Sequence, residues 1–275
     1  VDEAAGEGTA VWSVDGIDAA VALARTTDLA VVAHPDDLEL GMPGVIGLCR
    51  DDPDRWFTGI VCTTGAEPGD DATAATRAAE QQAAASIGRY GALVMLGCTS
   101  DGVRSPTARP AVVDRLVDLL GAARPTNLYT HNLADKHDTH VAVALAAVEA
   151  VRRLPLADRP WRTVGVEGWR DLDWLGDDEK VRLDVTGHEA LAGELFAVFT
   201  SQLADKRYDL AAAGRRRANA TLSEPRAPDA ASETIIAMDL SDLVRDDDLD
   251  VAAVVAATID RFRADALDRL DRLRG

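Results

Sequence analysis

Four of the five histidines in this 275-residue chain fall in two short segments that also carry acids. The first is His34-Pro35-Asp36-Asp37-Leu38-Glu39. The second, His131-Asn132-Leu133-Ala134-Asp135-Lys136-His137-Asp138-Thr139-His140, holds three of them. Imidazole and carboxylate are the ligand types that a divalent first-row metal takes, zinc being the default, and two imidazoles with one carboxylate leave positions for water. One short HxxH match says little, because such motifs arise by chance. Two clusters that each follow a buried strand can face one another across the rim of a parallel sheet, where open α/β folds bind their ligands.

The elements needed to bring the clusters together are legible in the pattern. Short apolar runs at 29–33, 57–62, 92–96 and 127–130 read as strands buried on both faces. Helical patterns lie between and after them, at 44–49, 73–87, 110–122 and 139–154. This rhythm predicts an α/β fold, a Rossmann-like, mainly parallel sheet with helices on both faces. After residue 160 strands are expected at 163–166, 181–185 and 234–238, with helices at 187–204 and 206–218. Val251, Val255, Ile259, Phe262, Ala266, Leu270 and Leu273 recur at steps of three and four, so a C-terminal extension is expected as a helix packing that face on the body. The expectation is one domain over 1–275: a half at 1–155 that carries the metal site, and a half at 156–275 that supplies cleft elements and the closing helix. The Pro/Ser/Ala-rich stretch 221–232 reads as a passive loop.

Composition removes several classes of function. The 47% hydrophobic and 28% charged residues are ordinary for a globular protein and exclude disorder and fibre. Twenty-nine basic residues against 47 acidic ones give a net charge of −18, which repels phosphate backbones and anionic lipid, so no nucleic-acid partner is expected. The short basic run Arg215-Arg216-Arg217 reads as a solvated helix face. Cys49, Cys62 and Cys98 are scattered and odd in number, which predicts buried free thiols rather than disulfides or a structural zinc site. No run approaches the ~18 apolar residues of a membrane span, and no signal-peptide pattern opens the chain. A cytoplasmic location is expected, although the chain begins with Val, so a removed leader is compatible with it.

Here a resemblance becomes specific. The segment Ala33 to Glu39, AHPDDLE, resembles the signature of the LmbE-like (PIG-L) superfamily of metal-dependent N-deacetylases, and the His137 to His140 segment is similar to that family's second motif, usually HPDH. The resemblance implies His34, Asp37 and His140 as ligands of one Zn2+ per chain, Asp36 as general base and His137 as the histidine beside the reacting carbonyl. Arg77 and Glu80 resemble the family's Arg-xx-Glu helix, and Asp101 resembles an acid that holds sugar hydroxyls. Asp138-Thr139 stands where the family has Pro-Asp, which removes the acid that precedes the third ligand. The run HPDDLELGMPG, with Trp169, Arg170, Asp171 and Trp174 further on, also resembles the deacetylases of glycopeptide-antibiotic assembly, which act on N-acetylglucosamine of a teicoplanin-type pseudoaglycone. On that likeness Arg77, Asp101 and Trp174 are the candidate substrate-binding residues.

Amide hydrolysis needs a nucleophile stronger than water and a place for charge on the carbonyl oxygen; zinc supplies both, by lowering the pKa of its water and by polarising the carbonyl. Asp36 would take the proton from that water and return one to the leaving amine. A protonated His137 would donate to the oxyanion. Three rivals use the same residues differently. A metal phosphoesterase needs more bridging acids than the two clusters hold, and a sugar- or nucleotide-binding module would carry neither metal nor turnover. A scaffold protein would use only the acidic surface, and the acids of the last helix, each near an Arg, do not discriminate. The small glycosylated substrate is the expected partner, and the oligomeric state is open.

Overall fold

The computed structural model describes residues 11–204, 206–223 and 225–275. The first ten residues of the expected domain and Glu224 of the expected loop lie outside the described residues. Eight strands form one sheet: β1 (Val11–Trp12), β2 (Asp28–Val32), β3 (Phe57–Thr63), β4 (Ala92–Cys98), β5 (Asn127–His131), β6 (Arg162–Val166), β7 (Lys180–Asp184) and β8 (Thr234–Asp239). Among the described residues twelve helices surround it. They are α1 (Ala19–Ala24), α2 (Asp37–Gly41), α3 (Pro43–Asp51), α4 (Asp71–Gly88), α5 (Ser100–Arg104), α6 (Arg109–Ala123), α7 (Asp138–Arg153), α8 (Glu189–Ala197), α9 (Thr200–Leu203), α10 (Tyr208–Leu222), α11 (Ser241–Arg245) and α12 (Val251–Arg274).

The strand order is β1-β4-β3-β2-β5-β6-β8-β7. The five central strands are parallel, whereas β1, β7 and β8 join antiparallel at the edges. All five residues of β2 and all seven of β3 are buried, as a strand covered by helices on both faces must be. One apolar core unites Leu29, Val31, Leu116, Leu128, Val143 and Val151 on one face of the sheet. A second unites Val32, Leu38, Ile46, Tyr90, Val164 and Leu195 on the other. Chain order reverses at β2, with β3 on one side and β5 on the other. The loops that follow β2 and β5 therefore part in opposite directions and leave a crevice at the carboxyl edge.

Several expectations need correction. The helix expected over 187–204 is broken into α8 and α9 at Phe199, whose ring is fully buried while Glu80 accepts from the Ser201 N–H at 2.8 Å and starts the second helix. α10 continues to Leu222, so the expected loop begins later than residue 221. The Arg215 to Arg217 run is no solvated face: Arg216 is 6% exposed and pairs with Glu233 at 2.7 Å, Arg217 joins the same carboxylate at 3.0 Å, and Arg215 donates to the Gly168 carbonyl. These bonds tie α10 to the β8 edge and the crevice rim. Cys49 and Cys62 are buried thiols as expected, and Cys98 is half-buried. The last helix packs only through its first two turns, where Val251, Val254 and Val255 meet the core. Beyond Thr258 the apolar face is open, with Ile259, Phe262, Leu270 and Leu273 all exposed.

Candidate active site

Both histidine segments reach the crevice. Pro35 ends the extension of β2, and the chain turns through Asp36, whose φ of 97° lies in the left-handed region, into α2. Asp37, first residue of α2, is 5% exposed, and its carboxylate faces three imidazoles. His34 Nδ1 lies 3.3 Å from Oδ2, His131 Nε2 3.5 Å from Oδ2, and His140 Nε2 3.5 Å from Oδ1. His131 ends β5, whereas His137 and His140 sit at the start of α7, and their rings stack against one another, 3.8 Å between centroids for His131 and His140 and 4.5 Å for His137 and His140.

Two overlapping sets offer ligand atoms within 4.8 Å of one another, His34 with His137 and His140, and Asp37 with His131 and His140. Asp37 adjoins His34 and His140, but the expected triad of His34, Asp37 and His140 is neither of these sets, and His140 alone is common to both. The chemistry of the set fits a first-row divalent cation. Two of its atoms also lack any other use: His140 Nε2 and His137 Nδ1 are buried with no hydrogen-bond partner in the protein. A buried polar atom without a partner is costly unless something binds it. His131 is different, because its Nε2 accepts the Ala33 N–H at 2.9 Å and pins β2 to β5 at the crevice.

Charge in the site is arranged unevenly. Burial pushes the Asp37 carboxyl up, but His140, His131 and His34 outweigh it and hold the group well below the usual carboxylate range. Asp36 goes the other way: burial and then the neighbouring Asp37 raise it, against a hydrogen bond of 2.5 Å from the Tyr208 hydroxyl to its Oδ2. Burial, with His140 and His34 adding to it, lowers His137 and favours its neutral form. For His140 burial is opposed and exceeded by Asp37 and Asp135, which raise it.

Asp135 supplies a carboxylate against His140. Its Oδ2 lies 3.1 Å from His140 Nδ1, so the ring is held with Nε2 toward Asp37. The same carboxylate accepts the N–H of Trp169 at 3.2 Å and of Arg170 at 3.1 Å, which joins the loop after β6 to the metal-ligand candidates. Only glycine fits beside it, because a Cβ on Gly168 would stand 2.5 Å from Asp135 Oδ2.

The expected substrate residues separate. Arg77 donates to the Gly65 carbonyl and stands close enough to Asp36 to act on its charge, while Glu80 turns away to Thr200 and Ser201. Asp101 pairs with Arg104 in α5 at the surface. Trp174 packs against the core with its indole N–H buried, whereas Trp169 is 37% exposed, 6.4 Å from the His137 ring and 6.4 Å from Tyr208, with Lys206 Nζ 4.4 Å above it. His131, Asp135, Trp169 and Tyr208 make up the part of the crevice that motif spacing does not assign; for the first two the only sequence signal is their place inside the histidine cluster.

The imidazoles and carboxylates gather at the switch point of a Rossmann-like sheet, the place where open α/β folds bind their ligands. Residues 29–151, which carry both histidine segments, match the model of the PIG-L family, described as GlcNAc-PI de-N-acetylase. No protein of curated function matches it in sequence. Among solved structures the fold is similar to N,N'-diacetylchitobiose deacetylase from Pyrococcus horikoshii, with a TM-score of 0.61 and 18% identity over 81% of this chain and 86% of that one. The zinc-inhibited form of teicoplanin deacetylase Orf2 gives a TM-score of 0.58 and 16% identity over 82% of this chain and all of the other. The fold also resembles GalB, a 4-carboxy-2-hydroxymuconate hydratase from Pseudomonas putida KT2440, with a TM-score of 0.60 and 17% identity over 78% of this chain and 96% of that one. The fold alone therefore spans more than one chemistry. Among the described residues no helix is long and apolar enough to cross a membrane.

Proposed function

We propose that the chain removes the acetyl group from an N-acetylglucosaminyl moiety, on a teicoplanin-type glycopeptide intermediate, using one zinc ion held by His34, Asp37 and His140. The observation that carries this reading is the buried, unpartnered Nε2 of His140, 3.5 Å from Asp37 Oδ1, with a second carboxylate, Asp36, one residue away. A zinc ion bound there supplies a Lewis acid and a water of lowered pKa. Asp36 accepts a proton as the amide carbon is attacked and returns it to the departing amine; a carboxyl raised by burial is suited to both steps. His137, in its neutral form, still has one N–H to donate to the developing oxyanion. Asp135 keeps His140 oriented. Trp169 presents a flat apolar face next to His137 on which a sugar ring can stack, and Arg77, bound to the Gly65 carbonyl, lies close enough to Asp36 to act on its charge.

The test is a mass-shift assay of zinc-loaded protein with N-acetylglucosamine, a phosphatidylinositol-linked form and a glycopeptide-linked form. Loss of acetyl, with the glycopeptide form turned over fastest, is the expected result. Zinc bound with no acetyl lost from any of the three would overturn the deacetylase reading. Turnover confined to another form would overturn the glycopeptide assignment alone.

A further inference from the structure

Behind the crevice lies a buried polar chain that none of the roles above uses. Gln81 of α4, Glu39 of α2 and Tyr90, just before β4, are all buried, the first two completely. Gln81 Oε1 accepts the backbone N–H of Asp36 at 3.0 Å, and Gln81 Nε2 donates to Glu39 Oε1 at 2.8 Å. The Tyr90 hydroxyl donates to that same oxygen at 2.6 Å. A primary amide can be turned end for end, and only its neighbours decide which end faces the backbone. Glu39 accepts, so the NH2 group must face it and the oxygen must face Asp36.

The turn needs this anchor. Asp36 is one of three non-glycine residues with positive φ among those described, a conformation that persists only where the surroundings hold it. The other amides of the turn have separate partners: Ala33 donates to His131, His34 to the Asp37 carboxylate, and Asp37 to the His34 carbonyl. Tyr208 meets the Asp36 side chain, not its backbone. We propose that Gln81 is a positioning residue whose side-chain amide, oriented by Glu39 and Tyr90, holds the left-handed backbone of Asp36 so that its carboxylate stands in the crevice beside Asp37.

The inference rests on Asp36 acting as the base, so it is tested first by a measurement that needs no turnover. Amide hydrogen exchange is followed by NMR in the metal-free protein. In the wild type the Asp36 amide exchanges as slowly as its β2 neighbours. In Gln81→Met, which keeps the shape and removes both amide groups, it exchanges about tenfold to a hundredfold faster, the equivalent of one buried hydrogen bond, while Ala33 stays protected. Glu39→Gln keeps an accepting oxygen and retains protection at Asp36; Glu39→Leu loses it. With zinc loaded, Gln81→Met is expected to bind one ion and to lose roughly 100-fold in kcat with little change in KM, as a misplaced reacting group does. An Asp36 amide that stays protected in Gln81→Met overturns the proposal. Should that variant not fold, a wild-type Asp36 amide exchanging as freely as an exposed loop does the same. A wild type without deacetylation defeats the functional reading and leaves the exchange result to decide the anchor by itself.

Discussion

The turn after β2 and the loop after β6 meet at the same crevice but are held in different ways. In the turn, backbone and side chains alike are committed: Asp36, Asp37 and Glu39 are buried, and each available amide from Ala33 to Asp37 has a partner. At Gly168 to Arg170 of the loop it is the backbone that is fixed, by Asp135 on the N–H of Trp169 and Arg170 and by Arg215 on the carbonyl of Gly168. The Trp169 ring stays half-open and touches Tyr208 and His137 only by ring contacts of 6.4 Å. Rigid groups at the turn suit bond-making, where a small displacement is expensive. An open ring on a tied backbone suits recognition, which must admit and release a substrate.

If that division is right, substitutions in the turn region change chemistry and substitutions in the loop change affinity. His140→Ala is expected to have the largest effect: elemental analysis should find zinc lost and turnover at background, and a variant that keeps stoichiometric zinc would remove His140 from the site. Asp36→Ala should retain zinc and lose about 10²- to 10⁴-fold in kcat; normal turnover would end its assignment as the base. For Trp169→Ala the expected change is a KM raised by about tenfold with kcat within a few-fold, since a stacking face contributes about equally to ground and transition states. A fall in kcat alone would erase the distinction between loop and turn.

The smallest effect is on stability and lies behind the loop. Burial raises Glu167 to about 7, against its ordinary 4.5, despite hydrogen bonds from Ile236 and Asn219. The folded state therefore keeps a proton that the unfolded chain has already released, and stability falls as pH rises from about 4.5 to 7. Glu167→Gln should raise the melting temperature at pH 8, the removed penalty being on the order of 3 kcal/mol at most, and should change nothing near pH 4. Equal melting curves at both pH values would show that Glu167 is not held in this way. Because the residue only supports the loop, no change in kcat is expected.

Much of this could be read along the chain because it is local. A strand covered on both faces is a run of apolar residues, so β2, β3 and β5 are visible without coordinates, and a histidine pair three positions apart, His137 and His140, is visible as spacing. Other features have no local signal. His131 reads as one more histidine until its acceptor role toward Ala33, 98 positions away, is seen. The two tryptophans of the later loop look equivalent, yet Trp174 faces the core and Trp169 the crevice. The C-terminal helix has an unbroken apolar stripe, and nothing in that stripe says that the body ends at Thr258.

Residue type and order thus determined the parallel sheet and the two loops that carry imidazoles and acids, since hydrophobic period and residue order are properties of the chain itself. The tertiary structure decided which acid supports His140, what anchors the left-handed Asp36, and which aromatic ring borders the site. Those contacts join residues from 5 to 45 positions apart. Their distances depend on how helices pack across a sheet, which no stretch of sequence encodes in isolation.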